Sequence, residues 1–171
     1  FSESTLATES IFKVENNQTT FHKLYNPENV DTGRGRYAVD NDWTNDLSGA
    51  LHALANHFKT SPSDRSHLLA SLAIKPELRA DASFSRIANH YIASYLVWNE
   101  AEDDDANHEW LRKTNELLRP FSEGHYVNEV AGDRYPERYE ASFSKTNWAR
   151  LKDVRKKYDP GSVFQSYLGN S

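Results

Sequence analysis

The strongest constraint on the fold is the long stretch 83–98, whose side chains, taken alternately, form two interleaved faces. Alternation with a period of two is typical of a β-strand, whose successive side chains point to opposite faces of a sheet. One face carries His90, and the other carries Tyr91 and Tyr95. Because apolar and polar groups are mixed on both faces, we expect both to contact something other than water. A strand of this length usually bends or contains a bulge.

Other segments have the spacing of amphipathic helices. In the first of them, Leu47, Ala50 and Leu54 recur with the 3.6-residue period of a helix. Either Thr44 or Asp46 is suited to cap its start. The predicted helices cover 46–59, 105–118 and 145–157, with a short turn or helix at 136–142.

Shorter strands complete the predicted fold. Candidate strands are 11–14, 19–25, a strand end at 37–39, 66–74, and 121–132 leading into a loop. Strands in clusters separated by single helices favour an α+β fold, with an antiparallel β-sheet and helices packed on one face. A doubly wound parallel sheet fits less well, because no glycine-rich turn is present to hold a phosphate. The length of 171 residues fits a single domain over 1–171.

Composition excludes several classes of function. The formal net charge of −5 argues against nucleic-acid binding, which needs clustered Lys and Arg. The absence of cysteine excludes disulfides, thiolate metal sites and a thiol nucleophile, and it fits a reducing, cytoplasmic location. No apolar run approaches the length of a membrane span, so no membrane association is predicted. Because the chain begins with Phe1, we expect a processed chain or a piece of a longer protein.

Neither a metal site nor a serine nucleophile is predicted. The seven histidines are scattered, and His52 and His57 point to different sides of their helix. The acidic run 102–105 favours a helix start, where carboxylates complement the helix dipole, over a metal site. Motifs of the HExxH and GxSxG types are absent.

Tyrosine and histidine side chains are the candidates for general acid–base chemistry. They are His90, Tyr91, Tyr95, His125 and Tyr126. The pattern alone favours a packing role for each, because tyrosine combines an apolar ring with a polar tip that suits a half-buried sheet face.

The segment 119–168 carries three motifs in order. They are YVN at 126–128, NWARLK at 147–152, and KYDP at 157–160 followed by VF at 163–164. In this order and spacing they resemble the C-terminal segment of the berberine bridge enzyme-like FAD-linked oxidases. Upstream, the likeness extends over about 36–168 and resembles that family's substrate domain, an antiparallel sheet backed by helices whose open face covers the flavin ring.

The resemblance implies roles for individual residues. Tyr126 is the candidate catalytic residue, as a proton acceptor or substrate contact, and Asn128 is the candidate flavin contact. The residues that the resemblance and the strand pattern place toward substrate are Arg86, His90, Tyr91 and Tyr95. Two positions depart from the family pattern. Glu129 stands where the family often has an aromatic residue, and ASFSR at 82–86 lacks the family's Pro-His.

The resemblance also implies a cofactor and partners. FAD is expected in the full-length protein, held mainly by an N-terminal FAD-binding domain that this sequence lacks, so the chain alone is expected to be inactive. The expected reaction is hydride transfer to flavin from a small-molecule substrate such as an alcohol, sugar or amine. A homodimer formed through an exposed, tyrosine-rich face is left open. The alternative is a non-catalytic α+β binding or interaction module.

Overall fold

The computed structural model describes residue 20, residues 35–73 and residues 83–166. Contacts divide the chain into two compact units, 1–34 and 35–171, and the elements described here belong to the second. The strand candidates 11–14 and, apart from Thr20, 19–25 lie outside the described residues. The single domain over 1–171 therefore stays a prediction.

The described part of the second unit contains three strands and four α-helices. The strands are β1 (Arg36–Thr44), β2 (His67–Leu72) and β3 (His90–Trp98). The helices are α1 (Leu47–Phe58), α2 (Asp104–Leu118), α3 (Glu137–Ala141) and α4 (Lys145–Tyr158), and 3-10 turns lie at Ala101–Asp103, Arg119–Phe121 and Val127–Glu129. Their order along the chain is β1, α1, β2, β3, α2, α3, α4. Every helix predicted from the sequence is present within about two residues of its expected ends. No helix in the described ranges is both long and apolar enough to cross a bilayer.

The sheet is antiparallel, with β3 in the centre and β1 and β2 on either side. Alternate residues of β3, among them Ile92, Leu96 and Trp98, face α1 and α2 and form the core with Leu54 and Trp110. Burying these apolar side chains is the main source of stability for the fold. The predicted α+β class, with helices on one face of an antiparallel sheet, is confirmed.

Side-chain caps explain where α1 and α4 begin. The carboxylate of Asp46 accepts a hydrogen bond from the backbone N–H of Gly49 at 2.9 Å and so caps α1. The hydroxyl of Ser144 accepts from the N–H of Asn147 at 3.2 Å and caps α4. The predicted start of α1 at a cap residue is therefore correct, with Asp46 rather than Thr44 in that role.

The predicted long strand over 83–98 is wrong in its first half. Both β-ladders end at His90, which is opposite Thr44 on one side and Leu72 on the other. Residues 83–86 instead bond to the start of α4 and the residues just before it, and Asn89 bonds to Asn45 and Ala73. The N–H of Ser144, for example, donates to the hydroxyl of Ser85 at 2.7 Å. The first half of the predicted strand therefore contacts the C-terminal helices and does not pair with β1 or β2.

The predicted strand over 121–132 is also wrong. The segment makes one isolated bridge, between Gly124 and Trp43, and then enters the 3-10 turn Val127–Glu129. Gly124 has φ 151°, a backbone conformation that side-chain-bearing residues rarely adopt, and this interrupts an extended strand. In contrast, β1 is longer than the strand end predicted at 37–39, because it continues through buried polar residues to Thr44.

Candidate functional site

The sheet face opposite the helices carries a cluster of aromatic rings. Tyr91 of β3 lies 4.9 Å from Trp43 of β1 and 6.2 Å from Tyr126, measured between ring centroids. Tyr126 in turn packs edge-on against Phe84 at 5.6 Å. Such tilted and edge-to-face geometries are the favoured arrangements for aromatic pairs. The tyrosine face is the set Trp43, Phe84, Tyr91, Tyr95, Tyr126 and Glu129.

Glu129 is the polar centre of the tyrosine face. One of its carboxylate oxygens accepts hydrogen bonds from the hydroxyl of Tyr91 and, at 2.9 Å, from the hydroxyl of Tyr95. Burial raises the pKa of both tyrosines above the ordinary value of 10.0, and the hydrogen bond and negative charge of Glu129 raise it further. Tyr91 and Tyr95 therefore remain protonated hydrogen-bond donors near neutral pH.

The position of Tyr126 is set by Asn41 of β1. Asn41 is 1% exposed, and its side-chain amide bonds twice to the backbone of Tyr126. The N–H of Tyr126 donates to Asn41 Oδ1 at 2.6 Å, and Asn41 Nδ2 donates to the carbonyl of Tyr126 at 3.0 Å. The amide thus substitutes for the strand partner that the segment lacks. Asn128 Nδ2 donates to the Tyr126 hydroxyl at 3.1 Å, which fixes the orientation of that group.

The residues predicted from the sequence are only partly brought together. Tyr91, Tyr95, Tyr126 and Asn128 lie on or beside the tyrosine face. His90 belongs to the alternate set of β3 residues, on the side of the sheet that the helices cover.

Arg86 lies outside the sheet and interacts with the C-terminal segment. Its backbone N–H donates to the carbonyl of Ser142 at 3.3 Å, and its Nε donates to that of Phe143 at 3.4 Å. The proposed roles of Arg86 and His90 toward substrate stay predictions.

Sequence reasoning missed Glu129, Asn41 and Trp43. The signal for Glu129 was visible, since it departs from the aromatic residue that the family often has beside the Tyr-x-Asn motif. No local signal marks Asn41 as a contact of Tyr126, because the two residues are 85 positions apart.

A buried polar cluster lies on the opposite, helix-covered side of β1. Asp40 accepts hydrogen bonds from Asn115 Nδ2 at 2.8 Å and from Arg138 Nη1 at 3.1 Å. Burial raises the pKa of Asp40, while the charge of Arg138 acts in the opposite direction. Asp42 lies nearby, 3.3 Å from Nδ1 of His125. Side chains of β1, α2 and α3 are thereby joined through charged groups.

The acidic run at 102–105 forms a helix start, as predicted. The Asp104 carboxylate pairs with Arg36 and accepts a hydrogen bond from Trp98 Nε1 at 2.7 Å, which joins α2 to both β1 and β3. These bonds, first of all that from Arg36, lower the pKa of Asp104. Within the described ranges, no three His, Asp or Glu side chains are grouped so as to hold a metal ion.

The sequence is similar to a known protein family and to one of its bacterial relatives. Residues 125–169 match the family model described as Berberine and berberine like. Over 84 residues, which is 49% of the chain, the sequence is 31% identical to the uncharacterized FAD-linked oxidoreductase YvdP of Bacillus subtilis (strain 168) and covers 18% of that protein.

Solved structures show the same fold. The chain resembles BBE-like 1 of Physcomitrella patens with a TM-score of 0.67 and 16% identity, over 90% of the chain and 34% of that protein. It resembles berberine bridge enzyme from Eschscholzia californica with a TM-score of 0.65 and 16% identity, over 81% of the chain and 33% of that protein. The chain thus spans about a third of each of these two structures. The resemblance to the berberine bridge enzyme-like FAD-linked oxidases that the motifs predicted is confirmed.

Proposed function

We propose that this chain is the substrate-domain part of an FAD-dependent oxidoreductase, and that its tyrosine face binds a small-molecule substrate beside the flavin. The match of residues 125–169 to the berberine family and the FAD-linked relative support the class of enzyme. The single observation that carries the assignment within this chain is the cluster of tyrosine hydroxyls and a carboxylate at the Tyr-x-Asn turn. Alcohols, sugars and amines are the substrate classes expected.

The described residues fit one end of FAD. The half-buried rings of Trp43 and Tyr126, which both contact the buried ring of Tyr91, are suited to pack against a planar flavin. The sequence has no glycine-rich turn to hold the pyrophosphate. The phosphates would therefore be bound by an N-terminal FAD-binding domain of the same protein, and the isolated chain would be inactive.

The proposed reaction removes a hydride and a proton from the substrate. Oxidation of an alcohol or amine removes a hydride from carbon and a proton from the attached oxygen or nitrogen. Bound FAD supplies the hydride acceptor. Tyr126 is proposed to contact the substrate and accept its proton, with its hydroxyl oriented by Asn128, which is also proposed as a flavin contact.

Glu129 gives the same surface a fixed negative charge. The hydroxyls of Tyr91 and Tyr95 are held as donors by the carboxylate, so their role is to shape and orient rather than to remove a proton. A carboxylate within reach of substrate is a general base of a common type, and it is available for the proton if Tyr126 only positions the substrate.

The alternative is a non-catalytic binding or interaction module. One observation favours it, because Glu129 already satisfies the hydroxyls of Tyr91 and Tyr95, and the face is hydrogen-bonded without any ligand. In that reading the tyrosine face is a packing surface. Together with the neighbouring Tyr37, which is 55% exposed, it would then contact another protein or a second copy of the chain.

The test uses the whole protein, with its upstream region included. We expect a visible flavin absorption band that bleaches when alcohols, sugars or amines are added anaerobically. Tyr126→Phe is expected to slow bleaching about 100-fold or more, the usual contribution of a positioned acid–base group. The control is Tyr158→Phe, the same change at an exposed residue near the end of α4, which should leave the rate unchanged.

The outcomes test the role of Tyr126 separately from the class of protein. A band that bleaches equally fast in Tyr126→Phe would contradict the role of Tyr126 and direct attention to Glu129. A folded whole protein that is colourless and takes up no FAD would contradict the oxidoreductase and support the binding module.

A further inference from the structure

A cavity of about 340 Å³ lies on the helix side of the sheet, away from the tyrosine face. It is bounded by the end of α2 and the 3-10 turn after it, by β1, and by α3. The lining includes Asp42, Asn115, Arg119, Tyr135, Arg138 and Ala141. This volume is about ten times the share of liquid volume that one water molecule occupies, so the space is large enough for a small organic molecule.

Asp42 is the chemically unusual group in this cavity. Its side chain is only 3% exposed, and within the described part of the chain neither carboxylate oxygen has a hydrogen-bond partner. A buried carboxylate without donors is costly, and buried polar groups in folded proteins are almost always hydrogen-bonded. The carboxylate of Asp42 is therefore free to accept hydrogen bonds from a bound molecule, and a cationic donor would suit it best.

The basic side chains beside Asp42, Arg138 and His125, have their hydrogen bonds committed elsewhere. Arg138 Nη1 is 3.7 Å from Asp42 but donates to Asp40 and to the carbonyl of Asn41, both at 3.1 Å. His125 Nδ1 is 3.3 Å from Asp42 and lies closer, at 2.8 Å, to the carbonyl of Asn41. Neither side chain donates a hydrogen bond to the carboxylate oxygens of Asp42.

The other charged side chains that line the cavity do not supply hydrogen bonds to Asp42. The guanidinium of Arg112 is held by the carboxylates of Glu109 and Glu116, and Arg138 is paired with Asp40. The two remaining charged residues of the lining, Arg119 and Glu137, have opposite charges. Tyr135 and Ala141 contribute apolar surface to the same cavity. The site thus combines one buried carboxylate that lacks hydrogen-bond donors with a small apolar wall.

We propose that this cavity binds a small primary amine, with its ammonium group donating hydrogen bonds to Asp42 and its apolar body against Tyr135 and Ala141. An ammonium group supplies up to three donors and one positive charge, which matches a carboxylate without partners. A divalent metal ion fits less well, because it requires several oxygen ligands and the described residues contain no group of three acidic or histidine side chains. The site lies on the opposite side of the sheet from the proposed oxidation site and does not depend on flavin.

The test is an NMR titration of the full chain with n-butylammonium chloride, with n-butanol as a neutral probe of similar shape. We expect saturable shifts of amide signals around Asp42 and His125 with n-butylammonium and none with n-butanol. Asp42→Asn, which keeps the shape and removes the charge, should weaken binding at least tenfold. Asp153→Asn, the same change at an exposed position of α4, should bind like the unaltered chain.

A second variant keeps the test decisive if Asp42→Asn fails to fold. Ala141→Phe would fill the cavity from its rim while Asp42 stays intact, and it should also abolish the saturable shifts. Equal binding of n-butanol and n-butylammonium would overturn the ammonium assignment. No saturable binding by the unaltered chain, or undiminished binding by Asp42→Asn, would overturn the site and leave a cavity filled by water.

Discussion

Replacing Asn41 by alanine should release Tyr126 from the sheet. The substitution removes two hydrogen bonds and leaves the N–H of Tyr126 without a partner in a half-buried position, while its C=O still accepts from the N–H of Glu129 at 3.0 Å. Each such bond contributes about 1 kcal/mol net, and each stranded polar group costs about 1–3 kcal/mol, so we expect the free energy of unfolding to fall by about 2–4 kcal/mol. Local opening of the turn should become easier by about 2 kcal/mol, which corresponds to a roughly 30-fold increase in amide exchange at Tyr126.

The assay is urea denaturation together with hydrogen exchange of the amides at 124–130. Asn107→Ala is the matched control, because Asn107 is also fully buried and its amide donates one hydrogen bond, to the Asp103 carbonyl at 2.9 Å. The control should destabilise the fold without opening the 124–130 turn selectively. If the Tyr126 amide exchanges as slowly in Asn41→Ala as in Asn107→Ala at matched global stability, the side chain of Asn41 does not hold this turn.

Two further predictions concern the same face. Gly124→Ala should lower the free energy of unfolding by about 1–3 kcal/mol, because φ is 151° there and an added Cβ would lie 2.5 Å from a neighbouring side-chain carbon. Glu129→Gln should lower the pKa of Tyr91 and Tyr95, measured by NMR of the tyrosine rings, since it removes a negative charge that favours their protonated forms. Both pKa values are raised on folding, so these two tyrosines contribute stability that is fully present below about pH 10 and lost as the pH rises through their folded values.

Both predictions have matched controls. Gly161→Ala should be nearly neutral, since an added Cβ there meets its nearest neighbour at 3.6 Å, an ordinary contact distance. Glu123→Gln makes the same charge change at an exposed residue and should leave the pKa of Tyr91 unchanged. Two results would contradict the geometry described for this face. One is a Gly124→Ala variant as stable as the unaltered chain, and the other is a Tyr91 pKa that is the same in Glu129→Gln as in the unaltered chain.

The helices could be predicted because their signals are local. The apolar spacing of Leu47, Ala50 and Leu54 and the cap at Asp46 lie within a few residues of one another, and the helix that they predict is present. The strand errors have a different cause. The segment 83–89 has the alternation of a strand but no strand beside it, and pairing depends on distant parts of the chain that the alternation does not report.

The site could be predicted only as far as motif resemblance reaches. Resemblance pointed to Tyr126 and Asn128, and alternation pointed to Tyr91 and Tyr95, all of which lie at the tyrosine face. The hydrogen bonds that join these tyrosines to Glu129 span 38 and 34 positions, and no spacing rule predicts them. The buried charges of β1 were missed for the same reason, because Arg138, which compensates Asp40, lies 98 residues away.

The polar run Asp40, Asn41, Asp42 in the middle of β1 also determines how the sheet is aligned. A slip of one residue between β1 and β3 would exchange the faces of every β1 side chain. Asn41 would then no longer accept a hydrogen bond from the N–H of Tyr126. The carboxylates of Asp40 and Asp42 would move away from Arg138 and face the side of the sheet that carries Glu129. Such a misaligned sheet would carry several unpaired or like charges at once, each costly when buried. These three polar residues make β1 less hydrophobic. They also favour its observed alignment with β3 over an alignment shifted by one residue.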